Sequence, residues 1–337
     1  MLNARLTAIA TVLVGALAAG CGAADSTNDV DTSVPTTVVS AATTTTATTA
    51  TTATQTDAAP QLPVTITDDT GTRVTITSID RIIPVDGDLA EIVFALGLGD
   101  NVVATDLSAT YPAEADALPQ IGYQRALSAE PIAAFEPTLV LATDLARPAE
   151  IADQLRSLHI PVVVIERKVA LDGPADKVRA VAAALGVSQR GERLIEALQA
   201  DIDSALAAAA DVSDHPRVLV LYVRGEQTQL IFGQGSGVDV MLPAVGAVDV
   251  AAELRIGETQ QITAEALLRA APDVLILSTT GLASVGGIDG LLSIPGIGET
   301  PAGQNRRVLT FEDQYLFGAG PRYGRLLLDL VESIHQT

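Results

Sequence analysis

The chain has 337 residues, of which 48% are hydrophobic and 18% are charged, and its formal net charge is −21. This length is enough for two modest domains with hydrophobic cores. The acidic balance argues against a nucleic-acid partner, because binding phosphates requires clustered Lys and Arg. With three His and one Cys in the whole sequence, there is little material for a zinc site built from these residues.

Residues 1–21 have the pattern of an export signal. Arg5 precedes an apolar run from Leu6 to Ala19, and small residues lead from this run to Cys21. The run is too short to span a bilayer comfortably, and no later segment has the roughly 20 apolar residues of a transmembrane helix. Cys21 is the only cysteine, so it has no partner for an intramolecular disulfide.

The end of this signal, Leu17 to Cys21, resembles a bacterial lipobox, in which the cysteine is lipidated and becomes the mature N-terminus. Ala18 departs from the pattern, since it stands where Leu is usual. The resemblance predicts a lipid anchor at Cys21 and an extracytoplasmic lipoprotein on the cell membrane or in a periplasm. The alternative is ordinary signal cleavage without a lipid.

Residues 22–61 are dominated by Thr and Ala, as in the run from Thr43 to Ala50. Such a composition cannot bury enough apolar surface to offset the entropy of ordering the chain. We therefore expect a disordered leash between the anchor and the folded part, with an average reach of a few tens of ångströms.

The folded part begins with a predicted hairpin and continues with alternating strands and helices. The hairpin comprises Val64–Thr67 and Val74–Thr77 around a polar turn that contains Gly71. Further predicted strands are Leu139–Ala142, Val162–Glu166, Val218–Val223, Val274–Ser278 and Arg307–Phe311. Predicted helices include Leu89–Leu96, Ala149–Leu158 and Val238–Val245. This alternation predicts α/β layers with largely parallel sheets.

One short pattern occurs twice. Leu127-Ser128-Ala129-Glu130 is followed by a strand that begins near Pro137, and Ile262-Thr263-Ala264-Glu265 is followed at the same spacing by a strand near Pro272. Each copy predicts a short helix capped by Ser or Thr, a Pro-containing turn and a buried strand. The duplication indicates two similar Rossmann-like lobes.

Between the two copies lies a predicted amphipathic helix, Gly191–Asp211, in which leucine or isoleucine recurs every four residues. Its length would be about 30 Å at 1.5 Å per residue. We predict an N-terminal lobe at 62–170, a connecting helical segment at 171–212 and a C-terminal lobe at 213–337. A cleft between two lobes is a common place for a small ligand.

With this organisation, residues 62–337 resemble the class III substrate-binding proteins of ABC importers, which carry heme, siderophores or cobalamin. The resemblance implies a rigid bridging helix and a permease partner with its ATPase subunit. It also implies that one surface glutamate per lobe pairs with arginines of the permease, and the matching residues are Glu130 and Glu265. The alternative role for each glutamate is to stabilise its own helix N-terminus.

Three segments are similar to the heme-binding members of this class: Ile121–Glu130, Phe232–Gly237 and Leu316–Arg322. In that subfamily the tyrosine of the first segment coordinates the heme iron, which implies Tyr123 as an axial ligand. Pro131 departs from the pattern, since the family commonly has Gly there. Outside this resemblance, Tyr123 would be an ordinary half-buried tyrosine with a hydrogen-bonded hydroxyl.

The chemistry of the neighbouring residues fits a heme ligand. Phenolate is a hard anionic ligand that suits ferric iron, but a free Tyr has a pKa near 10 and needs a metal or cation to favour the anion. Arg125 and Arg224 are candidates for that cation or for pairing with a heme propionate. Tyr222, at the end of its strand, is a possible second iron ligand, a stacking wall or a packing residue. Tyr315 is a weaker candidate for lining the cleft.

These features predict a monomeric heme-binding protein, with heme as the transported ligand, and no enzyme. A ferric siderophore or a corrinoid is the alternative cargo, although a siderophore site usually needs several basic or aromatic side chains and this chain has no Trp. An extracellular hydrolase is disfavoured, because there is no Gly-x-Ser-x-Gly motif and no His in a plausible catalytic loop. His159, His215 and His335 lie in contexts that make zinc or manganese transport a poor fit.

Overall fold

The computed structural model describes residues 59–336, which lie within one compact unit, residues 55–337. The predicted signal peptide, Cys21 and residues 22–58 of the predicted leash lie outside the described residues. None of the described helices combines the length and the apolar character needed to cross a membrane.

The N-terminal lobe starts with the predicted hairpin and continues into a small parallel sheet. Asp68 closes the hairpin turn by accepting hydrogen bonds from the backbone N–H groups of Thr70 and Thr72 at 3.0 and 2.9 Å. The elements in chain order are β1 (Val64–Thr67), β2 (Arg73–Ile76), β3 (Ile82–Val85), α1 (Gly87–Ala95), α2 (Ala113–Asp116), α3 (Ala129–Ala133), β4 (Leu139–Thr143), α4 (Ile151–Ser157) and β5 (Val162–Ile165). Strands β3, β4 and β5 are parallel and adjacent in that order.

The connecting segment contains two helices, α5 (Gly173–Ala184) and α6 (Ser188–Ala210). Helix α6 is the predicted bridging helix, and it begins three residues earlier than the sequence pattern indicated. Its 23 residues span about 34 Å at 1.5 Å per residue. The buried face of α6 is formed by Ile195, Leu198, Ile202 and Ala205. Of the predicted four-residue series, Leu198 and Ile202 are buried, whereas Leu194 is half-buried and Leu206 is exposed.

The C-terminal lobe has a larger, mixed sheet. Its elements are β6 (Arg217–Arg224), β7 (Thr228–Phe232), α7 (Val238–Ala244), β8 (Val248–Asp249), α8 (Val250–Glu253), β9 (Thr259–Gln261), α9 (Ala264–Ala270), β10 (Val274–Ser278), α10 (Thr279–Ser284), α11 (Gly287–Leu292), α12 (Pro301–Gln304), β11 (Val308–Phe311), α13 (Asp313–Phe317) and α14 (Tyr323–His335). The strand order is β11-β10-β6-β7-β9, and β8 also pairs with β6. Strands β11, β10, β6 and β8 are parallel, whereas β6–β7 and β7–β9 are antiparallel.

Side chains cover both faces of each sheet. In β4, Leu139 and Leu141 join the core that contains α5, α6 and α14, while Val140 faces a separate core beneath α3 and α4. In β10, Val274 and Leu275 divide in the same way between the central core and a second C-terminal core. Alternation across the strands thus makes each lobe a helix–sheet–helix sandwich.

The predicted α/β architecture with two lobes and a long helix is confirmed, and Val274–Ser278 matches its strand at both ends. The predicted capping of the repeated helices is right in one copy. Thr263 accepts a hydrogen bond from Ala266 N at 3.2 Å, whereas Ser128 occupies the N-cap position of α3 without a side-chain capping bond. The capping prediction for Ser128 is therefore wrong.

Candidate functional site

Tyr123 lies in the loop between α2 and α3, and 38% of its surface is exposed. Backbone hydrogen bonds fix the residues that precede it. Ile121 N donates to Thr105 O at 2.9 Å, and Leu107 N donates to Gly122 O at 2.9 Å. Gly122 adopts a φ of 106°, a conformation that glycine enters without a Cβ clash. The loop therefore presents the tyrosine ring at the surface of the N-terminal lobe.

Tyr222 comes from the other lobe and is held by aromatic packing. It lies two residues before the end of β6, and its ring centroid is 5.7 Å from that of Phe232 and 5.9 Å from that of Phe317. Phe232 and Phe317 are themselves 5.2 Å apart. Tilted aromatic contacts at these distances are favourable, so the three rings form a rigid platform.

The side chains of the two tyrosines, one from each lobe, lie within electrostatic range of each other. Burial raises the pKa of Tyr123, and the neighbouring Tyr222 phenol raises this pKa further. Arg125 acts in the opposite direction and lowers the same pKa. The two predicted ligands and one predicted cation are thus brought together by residues from both lobes.

Arg224 is held in place by its own lobe. Its guanidinium lies 4.5 Å from the centroid of the Tyr222 ring and forms an ion pair with Asp313. It also donates to Val223 O at 2.8 Å and to Ser278 Oγ at 3.1 Å. Arg224 therefore packs over the ring of Tyr222, with its charge balanced by Asp313.

The hydroxyl of Tyr315 forms a hydrogen bond within the C-terminal lobe. It donates to Asp329 on α14 at 2.8 Å, and the Tyr315 ring packs against Phe311 and beneath the guanidinium of Arg322, 4.9 Å from the ring centroid. Burial and the hydrogen bond to Asp329 both raise the pKa of Tyr315. The structure places this tyrosine at the contact between α13 and α14.

Two side chains of the C-terminal lobe also contact the N-terminal lobe. They are Gln314 and Arg322, and we call these contacts the interlobe joint. Arg322 donates to both carboxylate oxygens of Glu91 on α1, at 3.0 and 2.9 Å, and its guanidinium lies 3.6 Å from the centroid of the Tyr111 ring. Glu91 is buried, whereas the side chain of Arg322 is partly exposed. No sequence pattern indicated this pair.

Gln314 is buried and uses both ends of its amide across the joint. Its Nε2 donates to Gly87 O at 2.8 Å and to Glu91 Oε2 at 3.1 Å. Its Oε1 accepts from Thr110 N at 2.8 Å and from Tyr111 N at 2.9 Å. One side chain thereby fixes the start of α1 and the loop that follows Asp106 relative to the C-terminal lobe.

A group of buried carboxylates, Asp86, Asp88 and Asp106, lies at the carboxyl edge of the N-terminal sheet, and we call it the acid cluster. Burial, with the neighbouring carboxylates, raises the pKa of Asp86 to about 8. Burial raises the pKa of Asp106 to about 6. Thr143 donates to Asp86 at 2.8 Å, and buried Lys177 pairs with Asp88. Asp86 directly follows β3, a strand that the sequence pattern did not predict.

Glu130 and Glu265 occupy corresponding positions, in the first turns of α3 and α9, and both are exposed. The packing of each helix against its lobe is provided by an apolar residue, Ile132 in α3 and Leu267 in α9, and does not involve the glutamate. Each lobe therefore presents one solvent-facing carboxylate at an equivalent place. Among the described residues, no group of three or more His, Cys, Asp or Glu side chains could hold a metal ion.

A model of the periplasmic binding protein family matches residues 82–315. The chain belongs to this family. It is a substrate-binding protein and no enzyme. A curated relative is the uncharacterized ABC transporter substrate-binding lipoprotein YvrC of Bacillus subtilis, 25% identical over 81% of this chain and 86% of that protein. The vitamin B12-binding protein of Pectobacterium carotovorum is 25% identical over 58% of this chain and 70% of that protein.

Solved structures show greater similarity. The periplasmic heme-binding protein RhuT from Roseiflexus is 45% identical, with a TM-score of 0.75 over 76% of this chain and 98% of that chain. The heme-binding protein HmuT is 34% identical, with a TM-score of 0.78 over 84% of this chain and 94% of that chain. HmuT has also been solved with alanine in place of a tyrosine, of an arginine two positions later and of a histidine.

Proposed function

We propose that this protein is the heme-binding component of an ABC importer, and that heme binds between Tyr123 and Tyr222. The observation that carries the proposal is the meeting of two tyrosines from opposite lobes, one on a loop and one on an aromatic platform. A planar, largely apolar ligand with a central ferric ion fits a phenol on one side and aromatic rings on the other.

The HmuT variants support this choice of residues. The replaced tyrosine and arginine of HmuT stand two positions apart, as Tyr222 and Arg224 do here. The replaced histidine precedes that tyrosine by 99 positions, which is the separation of Tyr123 from Tyr222. On this correspondence, a tyrosine stands in this chain where HmuT has a histidine.

Tyr123 is the proposed axial ligand, and its protonation decides when it binds iron. Its raised pKa means that the phenol keeps its proton at neutral pH, so the proton leaves only when ferric iron takes its place. Arg125 lowers the pKa and stabilises the resulting phenolate. Leu107, which is 54% exposed and lies beside Gly122, adds apolar surface for the porphyrin.

Arg125 is also the proposed partner of a heme propionate. It is exposed next to Tyr123, whereas Arg224 is already paired with Asp313. A guanidinium can bind a carboxylate through two parallel hydrogen bonds, which would orient the porphyrin edge. We assign Arg224 the role of supporting the ring of Tyr222, the proposed second ligand. Tyr315 stays a weaker lining candidate because Asp329 binds its hydroxyl.

The experiment that tests this proposal is a visible-absorption titration of the protein with ferric heme. We expect a saturable one-to-one spectrum with a phenolate-to-iron charge-transfer band. Tyr123→Ala should remove that band, while the matched variant Tyr315→Ala should keep it. The absence of a saturable change in the wild type would refute heme as the cargo.

A corrinoid is the second candidate, because several curated relatives are vitamin B12-binding proteins. The same protein should be titrated with cyanocobalamin under the same conditions. We expect no saturable change in the corrinoid spectrum. If the protein bound cyanocobalamin saturably and did not bind heme, the cargo would be a corrinoid and the family assignment would stand.

We further propose that Glu130 and Glu265 dock on arginines of a membrane permease that works with an ATPase subunit, and that Cys21 carries a lipid anchor. Exposed carboxylates at equivalent places on both lobes support the docking role. The paired substitution Glu130→Lys and Glu265→Lys should abolish uptake and leave heme affinity unchanged. Glu114→Lys with Glu299→Lys is the matched control, since it makes the same charge change at other exposed sites on the two lobes.

A further inference from the structure

We propose that Asp106 is a positioning residue for Tyr123: its buried carboxylate holds the loop in the conformation that presents the phenol to the ligand. This inference rests on the proposed function. Asp106 is fully buried, and its Oδ2 accepts hydrogen bonds from Gln124 N at 3.3 Å and from Ser108 N at 3.2 Å. Gln124 directly follows Tyr123 in the chain, so the carboxylate fixes the peptide on the far side of the tyrosine.

The near side of Tyr123 is fixed by the same segment. Thr105 and Leu107, the neighbours of Asp106, bond through their backbones to Ile121 and Gly122. Residues 105–107 thus hold the chain immediately before and immediately after Tyr123. Of these contacts, only the one after Tyr123 depends on a side chain, the carboxylate of Asp106.

The clamp is anchored on a rigid element. Ser108 Oγ donates to Asp106 Oδ1 at 2.8 Å and accepts from Gly87 N, the first residue of α1, at 2.8 Å. A side chain at Gly87 would clash, because its Cβ would lie 2.3 Å from Ser108 O. The position of the tyrosine loop is therefore transmitted from α1 through Ser108 and Asp106.

The cost of burying this carboxylate supports a role beyond closing a turn. Burial raises the pKa of Asp106 to about 6, although Ser108 and the amide of Gln124 donate to it. An amide or hydroxyl side chain would accept a backbone N–H bond without burying a charge. The charged acceptor gives the stronger bonds, which hold the loop more firmly.

The test is Asp106→Asn in the full protein, titrated with ferric heme beside the wild type. Residues that orient a metal ligand typically contribute 10- to 100-fold to affinity, and we expect about a tenfold loss with a shifted phenolate-to-iron band. Asp249→Asn is the matched control. Asp249 is also a buried carboxylate that accepts a backbone N–H, from Ala251 at 2.9 Å, but it lies at the start of α8. The Asp249→Asn substitution should lower the melting temperature and leave the phenolate-to-iron band unchanged.

The outcomes separate this inference from the proposed function. Wild-type protein that takes no heme overturns both. The positioning role alone is overturned if Tyr123→Ala lacks the wild-type band while Asp106→Asn has the band at the wild-type position and binds heme with wild-type affinity. Should Asp106→Asn fail to fold, Ser108→Ala decides, since it removes one hydrogen bond to the carboxylate. We expect a few-fold loss with a band shift in the same direction, and an unchanged band overturns the inference.

Discussion

The two lobes present their tyrosines by opposite means. In the N-terminal lobe, Tyr123 lies on a loop that the buried carboxylate of Asp106 and backbone bonds hold in place. In the C-terminal lobe, Tyr222 lies on a strand and packs between Phe232 and Phe317. The first arrangement depends on charge and hydrogen bonds, and the second on ring packing. The lobes should therefore respond differently to substitution and to pH.

The largest expected effect concerns the charges beneath the N-terminal site. Lys177→Met leaves the buried Asp88 without its cation, because both side chains are almost fully shielded from solvent. Leaving one member of a buried ion pair uncompensated costs about 3–5 kcal/mol, so the free energy of unfolding should fall by this amount. Urea denaturation measures it. An unchanged unfolding midpoint would show that charge does not stabilise this lobe.

Next in size is the contrast between the tyrosines themselves. At Tyr123 the hydroxyl is the proposed ligand, so Tyr123→Phe and Tyr123→Ala should both weaken heme binding by at least about a hundredfold. At Tyr222 the ring is the platform, so Tyr222→Phe should cost less than about tenfold and Tyr222→Ala much more. Heme titration of the four variants provides the comparison. Equal losses for Tyr222→Phe and Tyr123→Phe would instead make Tyr222 a full second ligand.

A smaller effect is the dependence of stability on pH. The folded pKa values of Asp86 and Asp106, about 8 and about 6, lie above the ordinary value of 3.8. For each group, the folded state therefore binds more protons than the unfolded state between pH 3.8 and the folded pKa. The free energy of unfolding must then fall as the pH rises to about 6 for Asp106 and to about 8 for Asp86. The slope is at most about 1.4 kcal/mol per pH unit for each group.

Urea denaturation between pH 5 and pH 8.5 measures this slope. Asp86→Asn removes the titrating group while keeping its size, so its stability curve should be flatter above pH 6. A variant curve as steep as that of the wild type would show that Asp86 is ionised in the folded protein.

The smallest effect is expected at a surface ion pair of the C-terminal lobe. Arg306 and Asp289 lie 2.7 Å apart, but both are largely exposed. Solvent screens such pairs, so Arg306→Ala should change the free energy of unfolding by no more than about 0.5 kcal/mol. A loss comparable with that of Lys177→Met would remove the contrast between the lobes.

The sequence was most informative where local patterns determine the structure. The buried strands are continuous apolar runs, and all five predicted in this way match the structure within one residue at each end, as Val274–Ser278 does. Helix α6 was predicted from its apolar spacing. Helix α5 lies inside the predicted connecting helical segment, 171–212, but its bounds were not predicted, although Pro174 near its start is a usual signal for a helix N-terminus.

The candidate site was predictable only in part. Tyr123 and Tyr222 came from a resemblance and from a strand end, whereas the interlobe joint joins residues such as Glu91 and Arg322, which are 231 positions apart. Contacts at such separations leave no local pattern in a single sequence. The capping prediction for Ser128 failed because residue type alone does not specify whether its side chain turns towards the helix.

The hydrogen bonds of Gln314 also bear on how the chain folds. They join residues 204 and 227 positions apart, so the start of α1 obtains these partners only after the chain has been synthesised as far as Gln314. Contacts at such separations close late, because a long loop must lose its entropy first. Synthesis of α13 thus provides these partners of α1, and a nascent chain that ends before Gln314 would contain both tyrosines without these contacts between the lobes.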